Sequence, residues 1–149
     1  MKILIHPNPT LRKKSQCIKN EEILSSEFQD FIQKFGQTML TEDGAGLAAP
    51  QVGVLKRFVA VNENGAGKAK IYINPEIIKK SFRKNIIEEG CLSIPNVFGK
   101  VKRPKNIKVK YQDRSGNWHK EKCNDYHSRV LQHEIDHLDG ILFIDKLVK

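Results

Sequence analysis

The sequence predicts an α+β fold, with helix and sheet held in separate stretches of chain instead of alternating strand–helix units. Three observations carry this. An apolar stripe at helical spacing runs from about Ser25 to Glu42, strand-like segments fill the middle, and a second helix spans about Asp125 to Leu138. No Pro/Gly/Ser linker, internal repeat or low-complexity tract divides the chain, so residues 1–149 are expected to form one domain. A chain of that length can bury about two-thirds of its unfolded surface.

In the first helix Phe28, Phe31, Ile32, Phe35, Met39 and Leu40 recur at helical spacing, which reads as a core-facing stripe. Ser25 or Ser26 can cap its start, and Gly36 weakens its middle. After a glycine-rich block, Arg57–Val61 and Lys70–Asn74 read as strands joined through Asn64-Gly65-Ala66-Gly67. Cys91 lies in a short extended stretch between Gly90 and Pro95. Lys105–Gln112 and Asn117–Lys122 read as a hairpin around Asp113-Arg114-Ser115-Gly116. The last helix has Asp125 as its expected N-cap and Gly140 near its end.

Composition bounds the setting. No apolar run approaches the 18 or so residues of a membrane span, and the N-terminus is too short and polar for a signal peptide. Cys17, Cys91 and Cys123 make an odd set, which argues for a reducing compartment. A cytoplasmic chain is expected, with a processed organellar protein as the alternative. Cys17 reads as a small apolar filler and Cys123 as a strand residue. The net charge of +9 favours polyanions such as RNA. The lysines are scattered along the chain, however, and in Asn106–Tyr111 they alternate with apolar residues as on the wet face of a strand. Plain solvated faces account for most of them, leaving room for a weak RNA or ribosome contact.

The most informative segment is His133-Glu134-Ile135-Asp136-His137. On a helix, histidines four apart lie one turn above each other and can hold one metal ion. Glu134, about 100° round the helix from His133, flanks the ion and can serve as general base to water. A catalytic site needs a third protein ligand. Position 143, where a third histidine would fall in some proteases, is Phe143, and Asp145 is the one downstream carboxylate near it. The ligand is therefore sought upstream, and Cys91 is the candidate: a thiolate suits a borderline-soft ion and leaves the fourth position open. His6, His119 and His127 have no partner at ligand spacing.

Three blocks in order, Gly44–Gly53, Glu89–Ser93 and Gln132–Leu138, make the chain resemble the peptide deformylases, and the likeness runs from Ile3-Leu4 to Ile144-Asp145. The resemblance implies a peptide-deformylase-like fold, antiparallel or mixed sheets around the central helix that carries the two histidines. It implies hydrolysis of the formyl group of formyl-methionyl nascent peptides. It assigns one divalent ion to Cys91, His133 and His137, Fe(II) by preference, although Zn, Co or Ni suit the same donors. It makes Gln51 and the Leu92 N–H oxyanion donors, with Glu134 as base, and lines the substrate groove with Ala45, Gly46 and Gly90. It also pairs Glu89 with Arg103, where the residues alone support two solvated side chains equally well. Asp125 and Ser128 stand where many members have Gly and Ala, which bears on the pocket wall. The C-terminal helix of many bacterial members is not part of this sequence.

Two rivals remain on the sequence. A general metallopeptidase would cleave internal peptide bonds without a formyl group. A basic RNA-binding module around a closed structural metal site would show no turnover, and the want of aromatics clustered with the lysines weighs against it.

Overall fold

The structure, a computed structural model, describes residues 1–149 apart from the side chain of Asn64. A short turn α1 (Asn20–Ile23) leads into α2 (Ser26–Thr41). The Ser25 hydroxyl accepts from Phe28 N at 3.2 Å, satisfying one of the N–H groups that a helix start leaves unpaired. Seven strands follow: β1 (Gly46–Ala48), β2 (Phe58–Asn62), β3 (Ala69–Lys80), β4 (Lys84–Cys91), β5 (Ile94–Pro104), β6 (Asn106–Gln112) and β7 (Trp118–Asn124). The chain then enters α3 (Asp125–Leu138).

Five strands make an antiparallel sheet in the order β1-β2-β3-β6-β7, and β4-β5 form a separate hairpin. That long hairpin lies in sequence between β3 and β6 and leaves the two paired as neighbours. β3 runs well beyond the expected Lys70–Asn74. Pro75 sits at a register shift between Ile73 and Glu76, the kind of place where a residue without an N–H is tolerated in a sheet.

The sheet is buried on both faces where it is flanked by helices. Phe58, Ala60, Ile71 and Ile73 meet α2, and Val59, Val61, Tyr72, Ile107, Val109 and Tyr111 meet α3. Hence β2 reads as an unbroken apolar run. Gly36 marks the close crossing of α2 over β3, where a Cβ would come within 2.8 Å of the Ala69 Cβ. A third cluster of Leu11, Ile94, Val101, Leu142 and Phe143 ties the hairpin to the chain ends. Among the described residues no helix is long and apolar enough to cross a membrane.

Two expectations need correction. The N-cap of α3 is Asn124, whose side chain makes no capping bond, while Asp125 takes φ +51°. That backbone region favours glycine. Cys17 is exposed, not a filler. The alternation expected over Asn106–Tyr111 is present in β6, where Lys108 and Lys110 fall between the buried Ile107, Val109 and Tyr111.

Phe35 is fully buried with its ring centroid 5.0 Å from that of Phe58, edge to face. Phe35→Ala should cost about 3–5 kcal/mol, read as a lower urea midpoint with an unchanged slope.

Candidate active site

Segments far apart in sequence converge beside α3. β4 ends on Cys91, α3 presents His133 and His137 one turn apart, and the 3-10 turn Ala49–Val52 carries Gln51. Cys91 Sγ lies 3.3 Å from His137 Nε2. The donor atoms of Cys91, His133 and His137 are all within 4.8 Å of one another, a spread that one ion with bonds of about 2.0–2.3 Å can bridge.

His133 is oriented from behind. Its Nδ1 lies 2.9 Å from Glu89 Oε1, which fixes the ring and leaves Nε2 for a ligand. Burial opposes a proton on His133, but hydrogen bonding to Cys91 and Glu89 raises its pKa to about 10. A divalent cation would compete for that same position. His137 is pushed the other way, below the usual range, by burial and the nearby His133 and Arg103.

Glu89 is the hub. Arg103 donates to it through Nε at 2.6 Å and Nη2 at 3.0 Å, and Arg129 through Nη1 at 2.5 Å. All three side chains are buried. Burial by itself would raise the Glu89 carboxyl, but His133 and Arg103 outweigh it and hold the pKa at about 2. Arg103 also reaches Asp136 at 2.8 Å, and Arg129 binds the Val101 and Asn85 carbonyls at 3.0 and 2.9 Å. The Glu89–Arg103 pair is therefore a buried brace and not two solvated side chains.

Gln51 has its amide orientation set by neighbours. Its Oε1 accepts from Ala48 N at 2.9 Å, and its Nε2 donates to Ser93 Oγ at 3.1 Å, 3.6 Å from Cys91 Sγ. The donor end thus faces the cysteine loop. Leu92 lies in the turn between β4 and β5.

Glu134 is buried, and its Oε2 has no hydrogen-bond partner among the described residues. Burial is the main cause of its pKa rising to about 7. It can sit there because residue 46 is glycine: a Cβ would come within 2.8 Å of Glu134 Cγ. A groove of about 600 Å³ opens over these atoms. Ala45, Gly46 and Gly90 line it as expected, together with Ile87, Phe98, Tyr126 and Val130. Gly90 also clears the Phe98 ring, whose Cε1 would be 2.7 Å from a Cβ.

The residues missed by sequence reasoning are Arg129, Ser93 and the apolar groove wall. Arg129 had a signal, since it precedes His133 by four on the same helical face. Asp125 and Ser128 do not line the groove. Ser128 is buried behind it and bonded to Gln132 at 2.9 Å. His127 is not partnerless: its Nε2 lies 3.2 Å from Glu121 and 3.0 Å from the Tyr72 hydroxyl. Glu121, Cys123 and His127 are close enough to share an ion. Lys70, the Tyr72 hydroxyl and the Cys123 thiol already donate to Glu121, so the carboxylate is charge-balanced.

Comparison with known proteins decides the family. Residues 1–149 match the family model described as polypeptide deformylase. The chain belongs to that family. It is 47% identical to the peptide deformylase of Pseudothermotoga lettingae over 97% of this chain and 81% of that one. It is also similar to that of Zymomonas mobilis, at 42% identity over 97% and 84%. The crystal structure of the Thermotoga maritima peptide deformylase superposes with a TM-score of 0.92, at 38% identity and 99% and 97% coverage. The Met-Ala-Ser-bound structure of the class I type b peptide deformylase from Acinetobacter baumannii gives 0.92 at 32%, covering 99% and 98%. The deformylase fold, mixed helix and antiparallel sheet, is thus the fold of this chain.

The brace has a pH signature. The folded Glu89 carboxyl is depressed to about 2, so its stabilisation is present above the unfolded value near 4.3 and is lost as pH falls through about 2. Glu89→Gln should destabilise strongly at pH 7, by about 3–5 kcal/mol for breaking a buried pair. The gap to the native chain should narrow steadily between about pH 4.3 and 2 in acid-unfolding curves followed by circular dichroism.

Proposed function

We propose that this family member removes the formyl group from formyl-methionyl nascent peptides, releasing formate, with Cys91, His133 and His137 holding one divalent ion. The observation that carries the reading is the placing of a buried Glu134 carboxylate, its Oε2 without a partner among the described residues, and of the Gln51 donor beside three convergent metal-type donors. One thiol and two imidazoles with the fourth side open fit a catalytic ion and not a closed structural one. Fe(II) is the proposed native ion, with Zn, Ni or Co able to substitute. Bound there, the ion supplies the Lewis acidity that makes water a nucleophile near neutral pH.

The chain's own residues do the rest. Glu134 takes a proton from the attacking water and returns it to the leaving amine, a task suited to a carboxyl tuned near neutrality. The Gln51 amide and the Leu92 N–H meet the negative charge developing on the formyl oxygen. Ala45, Gly46 and Gly90 let the backbone approach the formyl group closely, which suits a carbon bearing hydrogen and excludes longer acyl groups by clash. The apolar wall of Ile87, Phe98, Tyr126 and Val130 takes the methionine side. The relative seen with bound Met-Ala-Ser supports a peptide lying there. The setting proposed is a one-domain cytoplasmic monomer, and a net charge of +9 supports a weak contact with the ribosome.

Formate release from formyl-Met peptides by anaerobically prepared, Fe-loaded protein tests the reading, and cleavage of internal peptide bonds instead would replace it with a general peptidase. Cys91→Ser should lose most bound iron. Glu134→Gln should keep the metal while turnover drops by about 10²–10⁴-fold, and a metal-bound Glu134→Gln with normal turnover would remove Glu134 as base.

Gln51→Ala separates oxyanion stabilisation from binding. kcat should fall about 10²–10³-fold while KM for a formyl-Met peptide changes far less, because the donor acts in the transition state. A raised KM with unchanged kcat would make Gln51 a positioning residue.

A further inference from the structure

One face of the five-stranded sheet carries positive charge that catalysis does not use. In β6 and β7 the side chains of Ile107, Val109, Tyr111 and Cys123 face α3 and are buried. Strand alternation therefore turns Lys108, Lys110, Lys120 and Lys122 to the opposite side. α2 covers that side only over β1 to β3. Register sets Lys108 opposite Lys122, Lys110 opposite Lys120, and Lys79 of β3 opposite Lys108. Lys79, Lys108 and Lys122 so form one row across three strands, with Lys110 and Lys120 beside it and Glu76 opposite Lys110. Among the described residues none of these five lysines makes an ion pair.

Like charges directly opposite in a sheet are destabilising, so the arrangement works against the fold that carries it. At the end of the face stands Trp118, 53% exposed, with the Lys110 ammonium 4.7 Å from its ring centroid. Lysines tracking phosphates beside an open aromatic ring are the elements of a single-strand nucleic-acid platform, since any unstacked base offers a π-face.

We propose that the β3–β6–β7 face binds single-stranded RNA, with phosphates on Lys79, Lys108, Lys110, Lys120 and Lys122 and a base stacked on Trp118. A duplex keeps its bases from the ring, and the residues that register sets next to Trp118 on this face, Gln112, Lys110 and Lys120, are polar, which suits RNA better than insertion into lipid. The sheet stands between the lysines and α3, so RNA and a peptide in the groove can be held together.

Trp118 is the one tryptophan of the chain, which gives a direct readout. A labelled RNA of about 12 nucleotides should bind with an affinity that falls as salt rises, and should quench the intrinsic fluorescence. Lys108→Gln/Lys122→Gln should weaken binding about tenfold or more and reduce the salt slope by about 1.4, near 0.7 for each phosphate contact on a single strand. Its Tm should hold or rise by about 1–3 °C, because like charges are removed. Trp118→Ala should weaken binding about tenfold, as loss of one stacked base does. Lys13→Gln/Lys14→Gln, off this face, should bind as the unaltered chain. Release of formate should be the same in all of these variants, which separates this proposal from the catalytic one. RNA binding that ignores the Lys108/Lys122 substitutions, or that leaves tryptophan fluorescence unchanged, overturns the proposal. So does equal binding of duplex RNA or of anionic phosphatidylserine vesicles.

Discussion

The buried carboxylate of Glu89 is the interaction on which the rest of the site depends. It lies on β4, its partner Arg103 on β5, and Arg129 and His133 on α3. A two-stranded hairpin has little stability of its own. This one carries Cys91 and half of the groove, so its position against α3 must be held by something other than sheet bonding. A single anion bonded by two guanidinium groups and an imidazole does so with directional, charge-assisted bonds. Apolar packing in the Leu11, Ile94, Val101, Leu142 and Phe143 cluster secures the hairpin's other side. The same carboxylate sets the ring of His133, so fold stability and ligand geometry share one group. The arrangement holds only while every partner is present, because a buried charge left unpaired costs several kcal/mol.

Around that brace the site is built from small clearances. Gly46 leaves the space that Glu134 occupies, and Gly90 leaves the space beside the Phe98 ring. A carboxylate placed there is shielded from water and lacks a partner for one oxygen. Burial of that kind destabilises the charged form and moves the pKa towards neutrality. Gln51 is the counterpart: both ends of its amide are bonded, so its donor is aimed before any substrate arrives. Preorganised donors of this sort need no rearrangement when charge develops.

The helix pair divides the work of the sheet. α2 and α3 cover opposite faces of β2, and where α2 stops, β6 and β7 turn their lysines outward. Surface charge and core are thus set by one alternation. The inward residues include Lys70 of β3 and Glu121 of β7, which pair beside the rings of Tyr72 in β3 and Tyr111 in β6. That pairing explains why His127, read alone as an isolated polar residue, belongs to a network.

The sequence by itself determined whatever depends on near neighbours along the chain. The α2 stripe follows from helical spacing, and the start of α2 from the Ser25 hydroxyl. The pairing of His133 with His137 needs no more than a helix of four residues' rise. Cys91 could be argued as a ligand from its type and from the shortage of downstream donors. The three blocks around Gln51, Cys91 and His133 carried the family, and with it the fold. Tertiary structure decided what depends on chain segments meeting. Glu89 and Arg103 could equally have been solvated until packing buried them with Arg129. The αL backbone of Asp125, the exposure of Cys17 and the covering of Ser128 depend on neighbours that no local pattern names. The lysine row is the clearest case: Lys79, Lys108 and Lys122 are scattered in sequence and adjacent only through strand register. Register is set by the buried faces of three strands at once, so the charge pattern on the other face follows from the core and cannot be read one strand at a time.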